Sequence, residues 1–211
     1  MSDKVVIVDY GMGNLRSVEK AFEKAGARVV VSSKPSVLRN ADKIVLPGVG
    51  AFSQAMKELK KRKLDRILRE KIEAGTPYLG LCLGLQLLFG SSEEGPEKGL
   101  GVLPGAVRKF RGSMKVPHMG WNSLKLTGKK CPLFKGIHAK DYFYFVHSFY
   151  AAPKLKSDIA ATTSYGPSFC SAVWRGNVYA TQFHPEKSQT IGQRIIRNFV
   201  KLWCFRYRPS T

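Results

Sequence analysis

Beyond residue 97 the sequence holds only three acidic residues, Asp141, Asp158 and Glu186, against 19 lysines and arginines. The first 97 residues are more balanced, with 16 basic and 12 acidic side chains, so most of the formal net charge of +20 sits in the second half. Such a deficit of negative charge suggests a polyanionic partner or a solvated basic surface, because clustered Lys and Arg attract phosphates over about a Debye length. Cysteine is also scarce. Cys82, Cys131, Cys170 and Cys204 lie 49, 39 and 34 residues apart, which excludes a zinc knuckle or a close redox pair and fits a reduced, cytosolic compartment. No apolar run reaches 18 residues, so no membrane-spanning helix is expected, and Val5-Val6-Ile7-Val8 is too short for a signal peptide. Repeats, low-complexity stretches and linkers are lacking too, so one domain over residues 1–211 is expected.

What is present is enough apolar material, 44% of residues, to close a sizeable core. Lys4–Val8 reads as a buried strand, and Leu15, Val18, Phe22 and Ala25 form one face of a helix stopped by Gly26. Strands follow at Arg28–Val31, Lys43–Leu46 and Tyr78–Leu81. Helical patterns run from Gln54 to Glu73, with Leu64, Ile67, Leu68 and Ile72 inward and Gly75 as the stop. This alternation predicts an α/β fold, a doubly wound, mostly parallel open sheet with helices on both faces. After residue 98 the pattern shifts toward added antiparallel strands. Tyr142–Tyr150 reads as one aromatic strand, Ser168–Trp174 and Val178–Phe183 as a pair joined at Arg175-Gly176-Asn177, and Ser188 as the cap of a last helix carrying Ile191, Ile195, Phe199 and Leu202.

The sharpest local feature is Gly80-Leu81-Cys82-Leu83-Gly84, set after a strand and before the helical run Gln86–Phe89. Glycines two before and two after a nucleophile permit a strained strand-to-helix turn, and helix-start N–H groups lower a thiol's pKa. The alternative is a small buried hydrophobe, which free cysteines often are. His184-Pro185-Glu186 supplies a base with a carboxylate two residues on, on the same side of an extended segment, and it follows a strand's C-terminal end, where open α/β sheets bind ligands. Read alone, it is also compatible with a turn histidine beside a surface glutamate. Pro47-Gly48-Val49-Gly50 brings backbone close to a ligand and can offer an N–H to an oxyanion together with that of Leu83; on its own it is equally a turn.

These three motifs resemble those of the class I, triad-type glutamine amidotransferases. Asp9-Tyr10-Gly11-Met12-Gly13-Asn14-Leu15, Pro47-Gly48-Val49-Gly50-Ala51-Phe52, Ser92-Glu93-Glu94, Pro117-His118-Met119-Gly120-Trp121-Asn122 and His184-Pro185-Glu186-Lys187-Ser188 are similar, more narrowly, to glutaminase subunits of histidine biosynthesis. The resemblance implies hydrolysis of glutamine to glutamate and ammonia by Cys82, His184 and Glu186, with Val49 and Leu83 as oxyanion donors and no cofactor or metal. Gly50, Gln86, Glu94, His147, Ser148 and Phe149 would bind glutamine, Phe149 replacing the more usual tyrosine. The implied partner is a cyclase subunit, a (β/α)8 barrel that receives the ammonia in a heterodimer; rearrangement at Gly48-Val49 would switch activity on. Met12, Asn14, Trp121, Tyr144 and Lys187 would face that partner, though Trp121 and Tyr144 also read as core aromatics and Lys187 as a helix-start cation. Two other readings stay open, a glutaminase of another pathway such as pyridoxal phosphate synthesis and a basic binding module. Against the latter, Lys98–Lys140 holds ten basic residues and no acidic one but lacks interleaved aromatics and any nucleic-acid motif, so neither nucleic acid nor membrane is expected as a partner.

Overall fold

The computed structural model describes residues 3–128 and 130–202; Cys204 lies outside them. The first half runs β1 (Lys4–Val8), α1 (Leu15–Lys24), β2 (Arg28–Ser32), α2 (Pro35–Arg39), β3 (Lys43–Leu46), α3 (Phe52–Lys61), α4 (Leu64–Glu73), β4 (Tyr78–Leu81) and a single-turn α5 (Leu83–Gln86). The second half adds β5 (Gly105–Lys109), β6 (His118–Ser123), β7 (Lys125–Leu126), β8 (Tyr142–His147), β9 (Phe149–Pro153), β10 (Ile159–Ser164), β11 (Ser168–Arg175), β12 (Val178–Thr181) and α6 (Gln189–Val200).

Strands β2-β1-β3-β4-β12 lie side by side and parallel, and β11, β10 and β7 extend the sheet antiparallel from β12. Alternate residues of β1 explain why it reads as a continuous apolar run. Val5 and Ile7 pack with Val18 and Phe22 of α1 and with Ile195 and Phe199 of α6, whereas Val6 and Val8 pack with Leu59 of α3 and Leu64 and Leu68 of α4. Phe22 and Phe199 meet edge to face at 6.2 Å, and truncating either ring to alanine should cost about 3–5 kcal/mol. At the foot of β3 the fully buried Lys43 donates to the Val200 carbonyl and pairs with Asp3 at 3.1 Å. A cation there complements the open carbonyls that end α6 and ties that helix to the sheet.

Several expectations for the second half need correction. Tyr142–Tyr150 is two strands, because β8 pairs with β6 in a separate two-stranded sheet while β9 pairs with β5 and touches β11, and the chain changes sheets at Ser148. Alternation records which residues face inward, not which neighbour a strand joins. The last parallel strand stops at Thr181, where its ladder with β4 ends, leaving Gln182 and Phe183 outside it. Helix α5 begins at Leu83 and lasts one turn, so the Gln86–Phe89 run is mostly turn; β5, β6, β7 and β10 carry no clear sequence signal.

Candidate active site

Cys82 stands between β4 and α5 with φ +53°, a left-handed backbone that a non-glycine residue adopts only under constraint. The constraint is close packing. A Cβ at Gly84 would run into the Leu46 carbonyl oxygen, and one at Gly80 would strike the Gly84 carbonyl, so both flanking glycines are needed for β3, β4 and α5 to approach. The Cys82 N–H donates to the Thr181 carbonyl at 2.7 Å, which joins the elbow's backbone to the end of β12. Because α5 is one turn long, its macrodipole is small.

His184 lies just past β12, and its Nδ1 is 2.7 Å from Glu186 Oε1 in an almost fully enclosed pair. The predicted base and orienter thus meet. Burial by itself would lower the His184 pKa; the charge of Cys82, foremost, and the Glu186 carboxylate outweigh it and raise the imidazole to about 10. His184 Nε2 makes no hydrogen bond of normal geometry, so the Cys82 influence on it acts through space. The segment is clamped by Tyr144, whose carbonyl accepts from the His184 N–H at 2.9 Å and whose N–H donates to Ser188 Oγ at 3.0 Å. Ser188 occupies the position before α6, yet it does not cap that helix: its hydroxyl donates to the His184 carbonyl at 2.7 Å. A side chain committed to the site is unavailable to the helix N–H groups.

The oxyanion segment differs from its expected form. The Leu83 N–H points at the Gly48 carbonyl at 3.4 Å, so a donor that the resemblance assigns to an oxyanion is engaged by the protein's own backbone. The buried Tyr10 hydroxyl lies against Gly48 with no hydrogen-bond partner, and burial, with the Cys82 charge second, raises its pKa.

A cleft of ≈ 450 Å³ opens above Cys82 and is lined by Val49, Gly50, Leu83, Gln86, Glu94, His147, Ser148 and Lys187, together with Pro117 and Val146. It therefore gathers most of the predicted substrate residues. Glu94 Oε2 accepts from the Phe52 N–H at 2.7 Å, so one of its oxygens serves the start of α3. Phe149 contributes through its backbone: its carbonyl accepts from Gln86 Nε2 at 3.0 Å and from His147 Nδ1 at 2.8 Å. His147 Nε2 in turn faces His118 Nδ1 at 2.9 Å. Because a carbonyl only accepts, His147 must carry its proton on Nδ1 and His118 must donate from its own Nδ1. Burial lowers His147 to about 3, with the His118 and His184 charges adding to it, and lowers His118 to about 4. His118 and Gln182 were not foreseen as site residues. The signal for Gln182 is a polar side chain just past the buried strand β12, whereas His118 lies in the mixed strand β6 and has no comparable signal.

Of the five residues expected to face a partner, Trp121 is 47% exposed and meets Tyr144 edge to face at 6.0 Å, with the Lys187 ammonium 5.8 Å from the Tyr144 ring. Met12 packs over Gly50 of the cleft, and Val49 and Met119 are also exposed. Asn14 caps α1, its Oδ1 accepting from the Ser17 N–H at 3.4 Å. Among the described residues, no group of three or more His, Cys, Asp and Glu side chains is placed to hold a metal, and no helix is long and apolar enough to cross a membrane.

A parallel sheet that brings a cysteine elbow and a His-Glu pair together at its strand ends defines the class: the description "Glutamine amidotransferase class-I" matches residues 6–203, and the chain belongs to that family. Within it, imidazole glycerol phosphate synthase subunit HisH of Syntrophotalea carbinolica is 52% identical over 203 residues, 92% of this chain and 98% of the relative. The protein of the same name from Geobacter metallireducens is 49% identical, over 92% and 96% of the two chains. PurLQS of Thermotoga maritima, at 19% identity, shares the fold with a TM-score of 0.73 over 95% of this chain and 98% of the other.

Proposed function

We propose that this chain is the glutaminase subunit of an imidazole glycerol phosphate synthase, one cytoplasmic domain that hydrolyses L-glutamine and passes the ammonia to a cyclase subunit in histidine biosynthesis. Its relatives at about half identity bear that subunit name over nearly their full length. In this reading the Cys82 thiolate attacks the side-chain amide carbon of glutamine, and the oxyanion forms at the Leu83 and Val49 N–H groups. His184 gives its Nε2 proton to the departing nitrogen, releasing ammonia and leaving a thioester. It then takes a proton from water, whose oxygen attacks the thioester carbon; the thiolate leaves and glutamate is freed. Glu186 holds the imidazole throughout. Glu94's second carboxylate oxygen would take the α-amino group, and Gly50, Gln86, His147, Ser148 and Phe149 would shape the site through backbone and side chain.

The observation that supports this reading is the enclosed His184–Glu186 pair near Cys82, combined with a Leu83 N–H engaged by the Gly48 carbonyl. Such a site suits an enzyme held at low activity until a partner and its phosphorylated ligand turn the Gly48-Val49 peptide so that Val49 N–H replaces the Gly48 carbonyl. The partner, a (β/α)8 barrel, would dock on the exposed Val49, Met119 and Trp121 surface, near Met12, Asn14, Tyr144 and Lys187. An acidic docking face would complement the basic second half, so association should slow as salt is raised. The decisive measurement is glutamate production by the chain alone, with the cyclase, and with cyclase plus its ligand. Low, intermediate and high turnover are expected; full turnover by the lone chain, or turnover that survives Cys82→Ala, would sink the proposal.

A further inference from the structure

Gln182 lies between β12 and His184 and is fully buried, its backbone N–H fixed to the Ser171 carbonyl at 2.9 Å. A buried primary amide carries two donors and an acceptor that need partners. Here Oε1 is 3.2 Å from Gln86 Nε2, and Nε2 is 3.6 Å from Cys82 Sγ, within the longer range that sulfur requires.

The amide's orientation follows from its surroundings. The Phe149 carbonyl can only accept, so Gln86 must turn its NH2 group toward it at 3.0 Å. An NH2 group cannot accept, so Gln182 must turn its oxygen toward Gln86. Its own NH2 group is then left facing the sulfur. Flipping either amide would set donor against donor or oxygen against oxygen in a water-poor interior, so the order from Phe149 to Cys82 is self-consistent in one sense only.

We propose that Gln182 is a further catalytic residue of the glutaminase reaction: its side-chain N–H donates to Cys82 Sγ, stabilising the thiolate both as attacking and as leaving group, while Gln86 fixes the polarity of that donor. A thiolate accepts a hydrogen bond far better than a thiol or a thioester, so this contact is strongest when sulfur carries charge. No proton moves to or from Gln182. When Sγ bonds to the amide carbon the contact weakens, and when the thioester C–S bond breaks it is regained. The titratable groups facing Cys82 are His184 and the buried phenol of Tyr10. Gln182 differs from both in being unable to titrate, so the donor itself is present at every pH and the contact strengthens only as the sulfur gains charge.

This inference rests on Cys82 being the nucleophile. It is tested by following iodoacetamide alkylation of Cys82 in the full chain by mass spectrometry across pH. Gln182→Leu removes the donor, and Gln182→Glu keeps the shape but presents an anionic oxygen. In the leucine variant the alkylation midpoint should rise by about one pH unit, with a roughly tenfold slower rate at neutral pH, and in the glutamate variant by more. A role confined to packing would lower the melting temperature and leave the midpoint in place. Should the variants not fold, the side-chain NH2 resonances of Gln182 in 15N-labelled wild-type protein should shift with Cys82 ionisation and lose that shift in Cys82→Ala. A midpoint unchanged in Gln182→Leu, or amide resonances indifferent to Cys82, overturns the proposal. If instead Cys82 reacts no faster than Cys131 or Cys170, and glutaminase turnover survives Cys82→Ala, the triad reading itself is what has failed.

Discussion

The turn that follows β12 and the end of β8 each bury a histidine, and the two imidazoles titrate in opposite directions. His184 is raised to about 10, His147 is lowered to about 3, and each is almost fully enclosed. Burial acts alike on both, disfavouring the cation. The difference lies in what each ring faces. His184 meets a carboxylate on one nitrogen and the charge of Cys82 near the other, whereas His147 meets a backbone carbonyl and a second neutral histidine. The first region favours the protonated ring; the second is an uncharged support for the Phe149 carbonyl, which also holds the Gln86 amide. Depth in the protein therefore does not decide a histidine's work, and the charge of its neighbours does.

The comparison breaks hardest at Glu186. Glu186→Gln removes the anion that orients His184, and turnover of the activated complex should fall by about 10³- to 10⁴-fold in a glutamate-release assay, with folding intact by circular dichroism. Activity within tenfold of wild type would mean that the carboxylate is not the orienter. A second effect is readable by 15N NMR of the imidazoles. In Cys82→Ala the His184 pKa should drop by several units toward that of His147, because its foremost stabilising charge is gone.

Stability should follow pH with opposite signs in the two regions. His184, raised above its unfolded value of about 6.5, contributes fully below that pH and loses its contribution as pH rises toward about 10. His118 and His147, lowered to about 4 and about 3, contribute fully above about 6.5 and lose theirs as pH falls toward those values. The melting temperature should therefore fall by several degrees on acidification below about pH 6, and less so in His118→Phe, which also leaves His147 without its donor at a cost of about 1–3 kcal/mol. The smallest effect belongs to Ser188→Ala. It removes two hydrogen bonds that hold the His184 segment, and should cost about 1–2 kcal/mol by urea unfolding with a few-fold loss of turnover. A stability change with no effect on turnover would show that the Tyr144 clamp does not set the histidine's position.

The first half of the fold was legible because its signals are local. Val5–Val8, Lys43–Leu46 and Tyr78–Leu81 are strands buried on both faces, and Gly26 and Gly75 follow helices in the positions expected of stops. The second half was harder to read. Tyr142–Tyr150 alternates inward and outward residues without marking the change of sheet at Ser148, and short strands such as Lys125–Leu126 carry too few residues for a period to show. Ser188 fits the preference for helix caps and is used elsewhere. Around the site, residues in glycine-rich or paired motifs, Cys82, Gly50, His184 and Glu186, stood out, whereas Gln182 and His118 are single polar residues whose contacts depend on neighbours far along the chain.

By itself the sequence determined that a parallel α/β sheet would form, that Cys82 would sit on a strained elbow between glycines, and that His184 and Glu186 would lie together, because each follows from the chemistry of a few adjacent residues. Only the tertiary structure decided that the Gly48 carbonyl takes the Leu83 N–H, that Gln182 turns its amide toward sulfur, and that two enclosed histidines titrate apart. Those outcomes depend on groups tens of residues distant that folding brings within about 3–4 Å, the range at which hydrogen bonds form and buried charges dominate.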